Sequence, residues 1–229
     1  VGNGPFRRRR WVTNQGIEVE RNPGYWDAAN VRLNGIRFYP IDNASTEETL
    51  FRNGRLHLTS TVNPDKIPFF RERLPDALTI SPYLGTYFYR INVTRPPFND
   101  PRVRRALALA IDKQLLVDKV TKGGQAPATG FVPQNIPDFE PSQAVAFDPQ
   151  EARRLLAEAG YPGGKGFPRK EIMINTSEAH RKIAEAIQAL WKAELNIDVG
   201  IYNQEWKVYL DRQSSLDYDI SRAGWIGDY

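Results

Sequence analysis

Apolar and polar positions alternate along this chain in short stretches, and the period of alternation changes several times. In "FRRRRWVTNQGIEVERNP", Trp11 and Val12 precede the turn residues "TNQG", and Ile17 and Val19 alternate with Glu18 and Glu20, as expected of two strands around a turn. "RLNGIRFYPI" predicts a further strand, with apolar alternation at Leu33, Ile36 and Phe38. "STEETLFRNG" predicts a short helix capped by Ser45 or Thr46, with Glu47 and Glu48 in its first turn and Gly54 at its end. "RLHLTST" reads as a returning strand, and "NPDKIPFFRERLP" opens with a cap and a proline, the start of another short helix. A strand–helix–strand order is thus expected by about residue 80.

Downstream the signals are longer. "PYLGTYFYRINV" is the most aromatic stretch and reads as one strand, with Gly85 permitting a bend. "PPFNDPRVRRALALAIDKQLLVDKV" predicts one helix, capped by Asp100, started by Pro101, with Val103, Leu107, Ile111 and Leu115 at helical spacing. A Gly/Pro-rich loop covers 121–143. "DPQEARRLLAEAGYPGGKGF" repeats the cap–proline–helix–glycine pattern with Asp148, Pro149 and Gly160. A strand at "EIMINTS" leads into a long amphipathic helix carrying Ile183, Ile187, Leu190 and Trp191 on one face. "DVGIYNQEW" predicts a strand, "EWKVYLDRQSSL" a helix, and "YDISRAGWIGDY" a strand running into a loop. This order gives an α/β fold.

Composition excludes more than it assigns. The 229 residues are 41% hydrophobic and 25% charged, ordinary for a globular chain. No apolar run approaches the ~20 residues of a membrane-spanning helix. There is no cysteine, hence no disulfide framework, thiolate zinc site or cysteine nucleophile. The net charge of +4 is mildly basic. Arg7 to Arg10 read either as a nucleic-acid patch or as one strand whose long stems cover a sheet, and acidic residues follow at once with no nucleic-acid-binding motif elsewhere. His57 and His180 stand without a partner at metal-ligand spacing. "GGKGF" lacks the context of a phosphate loop, and no nucleophile elbow is present. The expectation is no catalytic residue, no metal and no cofactor.

Several stretches together carry a resemblance. "GPF…RRW…NQGIEVERNPGYWDA", "INVTRPPFNDPRVRRALALAIDKQLLVDKV" and "DPQEARRLLAEAGYP", in that order, resemble the extracellular solute-binding proteins, family 5, of ATP-driven (ABC) importers. "NTSEAHRKIAEAIQALWK", "NQEWKVYLD" and "SRAGWIGDY" are most similar to the oligopeptide-binding branch of that family. The resemblance spans nearly the whole chain. It implies a periplasmic-binding-protein-like type II clamshell, here incomplete. Residues 1–84 would be a portion of the first lobe, and 85–229 most of the second α/β lobe, truncated at its C-terminus. Family members are considerably longer, so the chain reads as a fragment.

The implied function is non-enzymatic. An extracytoplasmic receptor captures extended peptides between two lobes and delivers them to the membrane-embedded permease subunits of an importer. A receptor for a nickel chelate, opine, oligosaccharide or antibiotic is the alternative within the family. The implied location is the periplasm, or the cell surface as a lipoprotein, with the signal segment outside this chain. The intact protein would be a monomer with no nucleic-acid partner.

The resemblance also implies roles for particular residues. Asp228 would take the peptide's α-ammonium, and Gly224, Trp225 and Ile226 would supply the strand that pairs with peptide backbone. Arg222 and His180 match positions that meet the C-terminal carboxylate, one as a bidentate fork and one as an ionisable ring. Trp206 would wall a side-chain pocket, and Tyr83 and Tyr87 lie near the lobe crossing. Arg90 stands where oligopeptide binders often carry an acid, which removes the basis for a preference for basic peptide side chains.

Overall fold

The computed structural model describes residues 2–81, 83–133, 136, 138–139 and 145–227. The polypeptide falls into two compact units, residues 1–58 and 59–229.

The first unit is an antiparallel sheet of β1 (Phe6–Val12), β2 (Gly16–Arg21) and β3 (Gly35–Phe38), followed by α1 (Ala44–Arg52). Its register pairs charges across strands: Arg7 faces Glu20 at 2.8 Å, and Glu18 faces Arg37 at 3.3 Å. The arginine run therefore forms an edge strand with solvated heads. A break in register between Arg8 and Arg10 bulges that edge. Two sequence expectations are corrected here. The cap of α1 is Asn43, whose side chain accepts from Thr46 N at 2.8 Å; Asn43 precedes Ser45 and Thr46, so both fall inside the helix. Residues 55–61 form no strand, because no neighbouring strand pairs with them, and His57 is exposed there.

The second unit begins with α2 (Ile67–Arg73), preceded by a 3-10 turn capped by Asn63. Its sheet has the order β4 (Gly85–Ile91), β7 (Ile220–Ile226), β5 (Lys170–Asn175), β6 (Val199–Gln204). β4 runs antiparallel to β7; β5 runs parallel to both β7 and β6. Around it are α3 (Pro101–Leu109), α4 (Lys113–Leu115), α5 (Pro149–Glu158), α6 (Glu178–Leu195) and α7 (Trp206–Ser214). The single helix expected from Asp100 onward is broken. Asp112 caps a new start by accepting from Leu115 N at 2.9 Å, and α4 passes into a π-helical stretch at Leu116–Thr121.

The period of two along β5 explains the layering. Ile172 and Ile174 enter the main core with Val103, Leu107, Leu156, Ile187 and Trp191, whereas Met173, between them, joins Tyr209 and Tyr218 in a second core. A strand buried on both faces reads as a continuous apolar run, as "IMI" does. Trp191 Nε1 donates to Leu107 O at 2.9 Å in the buried layer, fixing α6 to α3. Asn92 is 3% exposed and holds the C-terminal end of β4 to the loop before β7. Its Nδ2 donates to Leu216 O and Tyr218 O, each at 3.0 Å, and its Oδ1 accepts from Thr94. Residues 63–65 are tied to α6: Asn63 Nδ2 donates to Glu178 Oε2 at 2.7 Å, and Asp65 pairs with Lys182.

Candidate functional site

β7 has one occupied edge and one open one. It pairs with β4 along its whole length, from Ile91↔Ile220 to Gly85↔Ile226. It pairs with β5 only at Ile220 and Ser221, whereas β5 pairs with β6 along its whole length, from Lys170↔Val199 to Asn175↔Gln204. From Arg222 to Ile226 the side of β7 away from β4 has no strand partner among the described residues. Arg222 O is capped by Tyr209 Oη and by Gln213 Nε2, the latter at 3.2 Å. Beyond it Gly224, Trp225 and Ile226 are exposed. An open edge with unpaired backbone groups is a template for an added strand.

Side chains gather beside that edge. Tyr87 and Tyr89 project from the same face of β4 at a spacing of two, and Tyr89 lies directly across from Arg222. The Arg222 guanidinium stacks over Tyr87, 4.8 Å from the ring centroid, and its Nη1 donates to Asn175 Oδ1 at 3.3 Å. His180 reaches the group from the first turn of α6, where Ser177 Oγ caps the helix by accepting from His180 N. Its Nδ1 lies 3.4 Å from Tyr87 Oη.

Electrostatics suit an anion. Burial, aided by the Arg222 charge, lowers the His180 pKa to about 4, so the ring is neutral at pH 7. Burial likewise raises the phenols of Tyr87 and Tyr89, which remain protonated donors. Arg222 is the permanent charge at the centre of the group. Gly224 lies beside the guanidinium: a Cβ there would meet Arg222 Nη2 at 3.4 Å, an ordinary van der Waals contact.

The residues expected from sequence are therefore distributed as follows. Tyr87, His180 and Arg222 meet in one cluster. Gly224, Trp225 and Ile226 lie on the open edge. Trp206 begins α7, half exposed and stacked on Tyr209 at 5.7 Å, and so meets the cluster through Tyr209, whose Oη donates to Arg222 O. Tyr83 precedes β4 and is 69% exposed, its ring against Gly85. Asp228 lies outside the described residues. Sequence reasoning missed Tyr89, Asn175, Tyr209 and Gln213. The "YFY" spacing was the available signal for Tyr89; nothing in sequence joins Asn175 to Arg222, 47 positions away. Among the described residues no three metal-ligating side chains cluster, and no helix is long and apolar enough to cross a membrane.

Comparison with known proteins places this chain in a family. The chain is 37% identical, over 236 residues, to the periplasmic oligopeptide-binding protein OppA of Escherichia coli, covering 100% of this chain and 43% of that protein. Its fold matches the murein tripeptide binding protein MppA of Escherichia coli with a TM-score of 0.92 at 34% identity, covering 100% of this chain and 46% of that one. It also matches Haemophilus influenzae OppA, solved in complex with the peptide RPPGFSPFR, with a TM-score of 0.89 at 36% identity and the same coverage. The chain thus spans under half the length of these relatives. The model of the bacterial extracellular solute-binding proteins, family 5 Middle, matches residues 1–229, and the chain belongs to that family of solute-binding proteins.

Proposed function

We propose that this chain is part of an extracytoplasmic oligopeptide receptor that holds an extended peptide against the open edge of β7 and hands it to an ABC importer. The observation that carries this reading is the open edge from Arg222 to Ile226 beside the Arg222–Tyr87–His180 cluster. A free peptide brings backbone donors and acceptors, an ammonium and a carboxylate, and burying it requires partners for each. Added-strand pairing satisfies the backbone without reading side chains. Arg222 offers a fork for the carboxylate, with neutral His180 beside it, and Asp228 takes the ammonium. In this reading residues 1–84 belong to one lobe and 85–229 to the other, and the protein works without a cofactor. The names of the relatives, oligopeptide- and murein-tripeptide-binding, support the same ligand class.

The test is calorimetry on the full-length protein with a free peptide of a few residues and its N-acetylated and C-amidated forms. Each modification is expected to weaken binding by about 2–5 kcal/mol, the cost of leaving a buried charge without its partner. Equal affinity for all three forms overturns the assignments of Asp228 and Arg222. Tight binding of a nickel chelate, opine, oligosaccharide or antibiotic with no peptide affinity replaces the ligand class.

A further inference from the structure

Strand β1 carries four consecutive arginines on an open sheet edge. Arg7 to Arg10 are all exposed, and among the described residues no strand pairs with β1 on the side away from β2. The acids across the ladder do not neutralise the run. Glu20 is engaged by Arg7, and Glu18, which stands opposite Arg10, is engaged by Arg37. Arg8, Arg9 and Arg10 form no ion pair among the described residues. The register break leaves Arg9 with no residue opposite it, and at such a bulge the regular alternation of side chains is lost. Trp11 follows at 62% exposure, and the Arg8 guanidinium lies 5.8 Å from its ring centroid. Arg8, Arg9, Arg10, Trp11 and Thr13 line one concavity wide open to solvent.

This chemistry narrows the partner. A site for a small free anion is enclosed and built around buried polar groups, and no side chain from Arg7 to Trp11 is buried. A protein interface has an apolar centre poor in charge; here guanidiniums form the centre and a single indole the margin. A bilayer surface asks for neither enclosure nor an apolar centre. It offers a plane of mobile phosphates, onto which guanidiniums can fork. Each Lys or Arg near an anionic lipid surface contributes about 1 kcal/mol. An exposed Trp beside the charges suits the headgroup layer, where an amphipathic ring has one end apolar and one end wet.

We propose that Arg8, Arg9 and Arg10, with Trp11, dock β1 on the anionic phospholipid headgroups of a bilayer surface. Three charges and one ring make the contact peripheral and reversible, with no inserted segment. It would keep the receptor close to the membrane in which an importer sits. That use rests on the function proposed above; the lipid contact itself does not.

The experiment is cosedimentation of the full-length protein with phosphatidylcholine vesicles, with and without about one third phosphatidylglycerol. The wild type is expected to bind the anionic vesicles only, and to be released at about 0.5 M salt, where charges are screened within a few ångströms. Replacing Arg8, Arg9 and Arg10 together by Gln is expected to weaken binding roughly tenfold to hundredfold at unchanged melting temperature. Replacing the same three by Lys keeps the charge and is expected to bind within a few-fold of the wild type. Trp11→Ala is expected to weaken binding several-fold. Loss of binding in the Lys variant as large as in the Gln variant assigns the effect to the fold of β1 and overturns the proposal. Equal binding to neutral and anionic vesicles overturns it, as does binding to polyglutamate as tight as to the anionic vesicles, which makes the partner an acidic protein. No vesicle binding by the wild type, with a lower urea midpoint in the Gln variant, shows that other segments of the protein cover β1 and also overturns it. Peptide affinity measured without vesicles is expected to be the same in the wild type and the Gln variant. Absence of peptide binding by the wild type overturns the receptor reading and leaves the lipid contact standing.

Discussion

The Arg222 guanidinium lies 4.8 Å from the centroid of the Tyr87 ring. This stack joins β7 to β4 on one face of the sheet and holds a flexible cation in a single orientation beside the open strand edge. Arg222→Lys is expected to weaken binding of a free-acid peptide because an ammonium neither stacks over Tyr87 as a plane nor forks onto a carboxylate. Tyr87→Leu is expected to cost about 0.5–2 kcal/mol of binding through loss of the cation–π contact. Calorimetric affinities of the two variants check both.

Stability should depend on pH through His180. Its pKa falls from 6.5 to about 4 on folding, because the ring is buried near Arg222. Between those values the unfolded chain binds a proton that the folded chain does not, so stability decreases as pH falls through 6.5 toward 4. The groups shown to act on the ring are Arg222 on β7, whose charge lowers its pKa, and Tyr87 on β4, whose Oη lies 3.4 Å from Nδ1. His180→Gln removes this one contribution. The urea midpoint of the wild type should fall more than that of the variant between pH 7.5 and pH 4.5.

Trp191 is 2% exposed and fastens α6 to α3 through Leu107 O. Trp191→Phe removes the indole donor and leaves that carbonyl unmet, at an expected cost of about 1–3 kcal/mol. Trp191→Ala adds a cavity and should cost about 3–5 kcal/mol. Equilibrium urea unfolding of the two variants gives the order; a smaller loss for alanine than for phenylalanine would contradict it.

Asn92 satisfies two carbonyls of the loop that delivers β7. Asn92→Ala is expected to destabilise by about 1–3 kcal/mol, since those buried acceptors lose their donor. Amide exchange should quicken at residues 216–220 before it quickens in α6. By contrast, Asp65 is 58% exposed, and Asp65→Asn should change stability by less than about 1 kcal/mol despite its pairing with Lys182.

Elements with strong local signals were legible in the residues. Asp148–Pro149 at the start of α5 and Ser177 at the start of α6 cap where their types require. Strand β5 showed as an apolar run, and β7 as the strand of "YDISRAGWIGDY". Errors fell where local signals compete. Asp112 looked like an ordinary helix residue, yet its side chain captured Leu115 N and broke the helix. Asn43 capped α1 ahead of the two hydroxyl residues that looked equally suitable. "RLHLTST" has strand composition but no partner strand, and pairing is a tertiary fact.

The sequence by itself determined the α/β class, the order of most elements, and through its motifs the family and the candidates Tyr87, His180 and Arg222. The reason is that caps, periodicity and motif spacing are local properties of a chain. Only the tertiary structure decided that β5 leaves β7 after Ser221, opening an edge, and that Tyr89 and Asn175 flank Arg222. These facts depend on strand register and on contacts between residues far apart in the chain, which no local pattern encodes.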